Sequence, residues 1–358
     1  MSLEDRRRAA VAKAERHLTR SFGPAPERLR ATADATTDDD LDQYGSRGAV
    51  AEIEAEVTEL LGKPACAFMP TGVVAQQSVL RAQADDRGTT RVAVHGLSHF
   101  VQHELNALEE VHGFRVERLT DEPRQPRPED LDAIPGRLAA VCLELPLREA
   151  GCVLPAWDEL VVFSAHCAER GVPLHLDGAR LWESTAYLGH TVAEISELAE
   201  TVYVSFYKGL GGLAGAAVAG PEDLIAAARR WQRRLGGNPP TLVPYAVSAR
   251  TGLRTMLPRM HEFHQRAVEL AAGLAAAGFR VVPDPPHANA FKVYAERDAV
   301  EMSTAVVEHA EQTGDVLSPP WRPADVPGWS WTEMKVNAVT MEWTADAAAQ
   351  DLLSLLRQ

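Results

Sequence analysis

The chain has 358 residues, 46% apolar and 24% charged, which is the make-up of a soluble globular protein too long for one hydrophobic core. Its 36 basic and 50 acidic side chains leave a net charge of −14, which argues against a nucleic-acid backbone as partner but allows a small anionic ligand held locally. No run approaches the roughly 18 apolar residues of a membrane span, so no membrane partner is expected.

The first eight residues, Met1–Arg8, are charged and lead into no apolar signal core. Cys66, Cys142, Cys152 and Cys167 are scattered and make no CxxC pair, so reduced thiols in a cytoplasmic protein are expected.

In chain order, residues 3–20 read as a mostly polar helix able to dock along Leu3, Ala10, Val11 and Leu18. Residues 31–44, with the run Thr36-Thr37-Asp38-Asp39-Asp40, read as a loop or linker. Val50, Ile53, Val57, Leu60 and Leu61 have helical spacing over Ala49–Leu61. Short apolar strands then alternate with helices. The strands are Ala65–Met69, Arg91–Val94, Arg115–Leu119, Ala139–Leu145, Pro173–Asp177, Val202–Phe206 and Ala214–Ala219. The helices between them are Val73–Ala84, Phe100–Val111 and Trp157–Arg170. This alternation predicts an α/β domain on a mainly parallel sheet covered on both faces, with ligands beyond the carboxyl ends of the strands.

Beyond about residue 245 the texture changes. A long amphipathic stretch, Met260–Ala277, is followed by Gly278–Val282, a Pro/Trp-rich loop Ser318–Trp331 and a last helix Ala345–Leu356. The expected organisation is therefore an N-terminal helix and linker (1–44), a large domain (45–245) and a small C-terminal α+β domain (246–358).

Four stretches carry chemistry. In His175-Leu176-Asp177-Gly178-Ala179-Arg180 an apolar strand ends in a carboxylate that needs a cationic or hydrogen-bonding partner to stay charged. A protonated heterocyclic nitrogen is one such partner and Arg180 another; alone, the stretch reads as readily as a structural ion pair closing a turn. Lys208 follows a buried strand and precedes a glycine-rich run, Lys208-Gly209-Leu210-Gly211-Gly212. In an apolar pocket such a lysine is an amine nucleophile toward a carbonyl, whereas in a flexible loop it is a surface charge. Pro70-Thr71-Gly72-Val73 turns a strand into a helix whose first N–H groups can hold a phosphate, with Thr71 as a further ligand or only a cap. His99, in Ser98–Glu104, can stack on a planar ring or be a structural residue. His99 and His103 share a helical face, but no third ligand follows, so no metal site is assigned. Together, and in this order, a phosphate turn, a ring stacker, an Asp and a Lys meet the needs of pyridoxal 5′-phosphate.

With these motifs the chain resembles the threonine aldolase and β-eliminating lyase group of fold-type I pyridoxal-phosphate enzymes. The resemblance runs over about residues 40–295. It rests on Asp42–Gly45 with Ala51–Gly62, Pro70–Gln77, His99–Glu104, Glu144 with Gly151–Pro155, His175–Leu181 and Ser205–Gly215, with Asn289 placed as the group's small-domain Asn. It implies an aspartate aminotransferase-like large domain, a small C-terminal domain, and a homodimer or homotetramer with shared active sites. It also implies the cofactor aldehyde held by Lys208, ring pairing at Asp177, stacking at His99, phosphate contacts at Gly72 and Val73, and Arg180 on the cofactor and the substrate carboxylate.

Three places depart from the group. Its Ser-Asp-Thr is Arg30-Ala31-Thr32-Ala33-Asp34 here, its Glu-x-x-His is Glu144-Leu145-Pro146-Leu147, and a carboxylate-binding Arg of the last strand is Asn337. Cofactor binding is thus kept and substrate recognition altered, with Arg148 a stand-in for the missing clamp or an exposed loop charge. The expected activity is cleavage of the Cα–Cβ bond of a β-hydroxy-α-amino acid to glycine and an aldehyde, with Lys208 catalytic and His99 the nameable base. The alternatives are β-elimination, transamination or transaldolation on another amino acid, and an inactive binding protein on the same fold.

Overall fold

The computed structural model describes residues 1–19 and 23–356. The chain divides into two compact units, one running over Gly23–Pro258 and the other joining the N-terminal segment to the chain from Arg259 onward.

The first unit is built on a seven-stranded sheet. Its strands in chain order are β1 (Ala65–Met69), β2 (Arg91–Val94), β3 (Arg115–Arg118), β4 (Ala140–Glu144), β5 (Leu174–Gly178), β6 (Thr201–Ser205) and β7 (Ala216–Gly220), and their spatial order is β1-β7-β6-β5-β4-β2-β3. Pairing is parallel from β6 across to β3, while β7 runs antiparallel to both β1 and β6. Strands β4 to β7 are buried at every position, which is why they read as unbroken apolar runs rather than alternating ones. On one face, Ala75, Val79 and Ala82 of helix Gly72–Arg87 pack with Ala67, Met69, Val218, Ile225 and Ala228. Each Val or Ile buried there contributes about 1.5–3 kcal/mol by leaving water.

Two local expectations are corrected. The single helix expected over Phe100–Val111 is two, His99–Gln102 and Ala107–His112, separated by Leu105 and Asn106 at φ 52° and 57°. The break lets the Glu104 side chain turn inward, where it is buried, instead of lying on a solvent face. Residues 31–44 are not all loop: helix Ala25–Asp34 runs into them, and Asp38–Asp40 forms a 3-10 turn. Asp40 is buried there because Arg250 donates to it at 2.6 Å.

In the second unit, a four-stranded antiparallel sheet orders Arg322–Pro323, Ser330–Lys335, Ala290–Ala295 and Arg280–Val282. The stretch Ser318–Trp331 therefore holds one short strand and the start of another, whose strict in-out burial is that of a sheet covered on one face. Helices Met260–Ala276, Ala299–Thr313 and Ala345–Leu356 belong to the same unit. The N-terminal helix Leu3–Lys13 is followed by Arg16–His17, which pairs in parallel with Asp315–Val316. Arg6 also reaches Glu311 at 2.7 Å. Among the described residues, no helix is long and apolar enough to cross a membrane.

Candidate active site

The carboxyl ends of β4, β5 and β6 supply the chemistry. Asp177, 1% exposed, is the last residue but one of β5, and the parallel register sets Glu144 of β4 beside it. Gln76 donates to Asp177 Oδ2 at 3.0 Å, and the Ala179 N–H donates to Oδ1 at 3.1 Å. Burial pushes the Asp177 carboxyl up, while Lys208, Gln76 and His99 pull it back toward the charged form.

Glu144 is held from both sides by backbone. The His99 N–H donates to its Oε2 at 2.7 Å and the Arg148 N–H to its Oε1 at 3.0 Å. Burial first, and then the neighbouring Asp177, push its carboxyl up to about 7. The glutamate thus ties the loop before helix His99–Gln102 to the loop after β4, and it holds a proton near neutrality.

Lys208 lies three residues beyond β6. Burial, and then the Arg180 guanidinium, lower its ammonium, against the pull of Asp177, Glu144 and Glu183. A lysine so placed has more of the uncharged amine that attacks a carbonyl. Gly209 is required here, because a Cβ would lie 2.3 Å from Glu183 Oε1. Glu183 is fully buried, and Arg180 Nη1 lies 3.4 Å from its Oε1, so the two share one desolvated patch beside the lysine.

Helix Gly72–Arg87 begins where β1 ends. Thr71 is its cap, accepting from the Val74 N–H at 3.2 Å, so its hydroxyl serves the helix start. The amides of Gly72 and Val73 belong to the first turn and have no acceptor within the helix. A Cβ on Gly72 would fall 2.1 Å from the Tyr203 hydroxyl, so only glycine allows this approach to β6. An anion bound at these amides needs no further cation to be attracted by the helix start.

His99 opens helix His99–Gln102, and its Nδ1 lies 3.0 Å from Glu104 Oε1. Gln77 donates to the other Glu104 oxygen at 3.2 Å, and its own carbonyl faces His112 Nε2 at 3.0 Å. The carboxylate fixes the proton on Nδ1 and raises the His99 imidazole above its usual range, leaving Nε2 directed away from this bond.

One cavity is lined by His99, Asp177, Arg180, Lys208 and Arg148, and by Glu144, His103 and Glu149. Thr71, Gly72 and Val73 do not line it; Gly72 adjoins the hydroxyls of Tyr203, on β6, and of Tyr207, the residue before Lys208. The Arg148 guanidinium donates to Glu149 at 2.8 Å, and His103 Nε2 meets the same oxygen at 2.9 Å, so Arg148 is held at the rim rather than loose in a loop. Leu147, where the resembling group has a histidine, is buried and bonded through its backbone to Val153. Among the described residues no three His, Cys, Asp or Glu side chains gather as a metal site.

Sequence reasoning passed over Gln76, Gln77, Glu104 and Glu183, and took Glu144 only as a landmark. Gln76 and Gln77 are polar residues buried within a helix, and that position relative to Val79 and Leu80 is the signal that singles them out.

A buried anion, a low-lying lysine, a polarised histidine and a helix start within one strand-end region suit the ring nitrogen, aldehyde, ring face and phosphate of pyridoxal phosphate. Residues 20–298 match the family of β-eliminating lyases. A protein of Listeria monocytogenes, provisionally described as an L-allo-threonine aldolase, is 32% identical, with a TM-score of 0.93 over 99% of both chains. A second structure, from Exiguobacterium sp. and provisionally described as an aromatic amino acid β-eliminating lyase/threonine aldolase, is 34% identical. Its TM-score is 0.92 over 98% of this chain and 99% of that one. The low-specificity L-threonine aldolase 1 of Arabidopsis thaliana is 27% identical over 266 residues, 70% of this chain and 72% of that protein.

Proposed function

This chain belongs to the β-eliminating lyase family, and from that premise we propose that it is a pyridoxal-phosphate-dependent carbon–carbon lyase. Its substrate is a β-hydroxy-α-amino acid, which it cleaves to glycine and an aldehyde. The observation that carries the reading is the convergence of Asp177, Lys208, His99 and Arg180 on one cavity at the strand ends.

The cofactor, when bound, supplies a conjugated electron sink for the bond cleaved at Cα. The amides of Gly72 and Val73 hold its phosphate, with Thr71 fixing the helix start. Asp177 presents a charged oxygen to the ring nitrogen. Lys208, lowered by burial, offers the amine that the aldehyde requires. His99, with its Nδ1 proton fixed by Glu104, would cover the face of the cofactor ring. Arg180 receives the substrate carboxylate from inside the cavity and Arg148 from its rim.

The reaction removes the β-hydroxyl proton, turns that C–O bond into a carbonyl and returns a proton to Cα. His99 Nε2, or a water it positions, takes the first proton. Glu144, pushed up to about 7, is a second group in the cavity able to hold or release one near neutral pH.

The working form is a homodimer or homotetramer with shared sites, and the four buried cysteines, in no disulfide, suit a reducing cytoplasm. Light scattering of the purified protein tests the first point.

Incubation with L-threonine and L-allo-threonine tests the chemistry. Glycine and acetaldehyde in equal amounts support it. Ammonia and a 2-oxo acid instead would move the protein to β-elimination on the same scaffold.

A further inference from the structure

Behind Asp177 a chain of hydrogen bonds runs through the core. Gln76 donates its Nε2 to Asp177 Oδ2 at 3.0 Å, so its carbonyl oxygen must be the atom that faces His175 Nε2 at 3.3 Å. That oxygen can only accept, which places the His175 proton on Nε2 and leaves Nδ1 as an acceptor. The Thr201 hydroxyl, 2.8 Å from Nδ1, therefore donates. The same Thr201 oxygen accepts from Gln83 Nε2 at 3.3 Å.

Every hydrogen in this series points toward Asp177. Gln76, Gln83, His175 and Thr201 are at most 2% exposed. Burial drives the His175 imidazole down to about 3, so it stays neutral and adds no cation to the series. A fold that needed only packing here would be served by apolar side chains, since four polar groups in a row are costly unless each is bonded. Aligned dipoles have a use where a negative charge must be kept out of water at one end.

We propose that Gln76, His175 and Thr201 form an inward-directed hydrogen-bond relay that holds Asp177 as an oriented anion toward the cofactor's ring nitrogen. They are thus positioning residues for the reaction, and this inference rests on the cofactor reading given above.

The test titrates cofactor-free protein with pyridoxal phosphate and with its 1-deaza analogue, in which a CH replaces the ring nitrogen. Wild type should prefer the nitrogen-bearing form. Thr201→Val keeps the side-chain shape and removes the donor. It should weaken pyridoxal phosphate binding about tenfold while moving the analogue far less, and Thr201→Ser should restore the preference. Equal weakening of both ligands by Thr201→Val, or no change in either, overturns the relay. Should Thr201→Val fail to fold, Gln76→Leu, at the other end of the series, should show the same selective loss, and an unchanged preference there overturns the relay as well. Wild type that binds neither ligand would overturn the cofactor reading itself, a result distinct from wild type that discriminates while the variants discriminate equally.

Discussion

Glu144 and Asp177 are register partners on adjacent parallel strands, so two buried carboxyl groups face one cavity from neighbouring strand ends. Two such groups do not ionise independently, and their surroundings separate their tasks. Asp177 has Lys208, Gln76 and His99 to favour its charge, whereas Glu144 is held chiefly by two backbone N–H groups. The arrangement leaves one standing anion and one proton holder.

That division predicts a pH-dependent stability. An unfolded glutamate titrates at about 4.3 and Glu144 at about 7, so between these values the folded protein binds the extra proton. Stability therefore falls as pH rises from about 4.3 to 7, by up to about 4 kcal/mol from this group. Glu144→Gln should flatten the fall, apart from any uniform cost of replacing an acceptor. Urea unfolding at pH 5 and pH 8 reads the difference, and an unchanged pH slope in the variant would refute the assignment.

His99 gives the same sign in a higher pH window. Its imidazole is raised by Glu104, so its stabilising contribution is complete below the unfolded value near 6.5 and is lost as pH climbs through the folded one. Glu104→Gln should lower the His99 titration midpoint and remove stability mainly on the acid side. Ring-proton NMR of His99 measures the midpoint directly, and a variant midpoint equal to wild type would contradict the role given to Glu104.

Lys208→Ala should leave the fold intact and abolish lyase activity. After borohydride treatment in the presence of pyridoxal phosphate, mass spectrometry should find the label on Lys208 in wild type and no stable adduct in the variant. Label on a different lysine would remove Lys208 from the proposed chemistry.

Arg148 sits at the cavity rim with its guanidinium braced by Glu149. Arg148→Ala should raise KM about tenfold, as loss of one charge-assisted contact does, with kcat changed little. Steady-state kinetics on the cleaved substrate decide it; an unaltered KM would leave Arg148 a structural rim residue.

The central strands of the large sheet, β4 to β7, are legible in sequence because each is a short, largely apolar run buried on both faces. The reactive residues are legible because Asp177 and Lys208 follow such runs directly. The residues that tune them are not. Gln76 acts on Asp177 and His175 a hundred positions away, and Gln77 reaches Glu104 across a helix break that no apolar spacing marks. Tertiary hydrogen bonds leave little trace in local composition. The strand Ser330–Lys335 is hidden for a different reason, since its alternation starts inside a stretch whose Pro and Trp content reads as loop.

The parallel pairing of Arg16–His17 with Asp315–Val316 joins residues made before the large sheet to residues made after it. All seven strands of the large sheet, ending at Gly220, leave the ribosome before residue 315 exists. The large unit is therefore free to close early, while the amino-terminal segment waits for its partner strand through most of translation. Assembly of the second unit therefore follows closure of the large sheet.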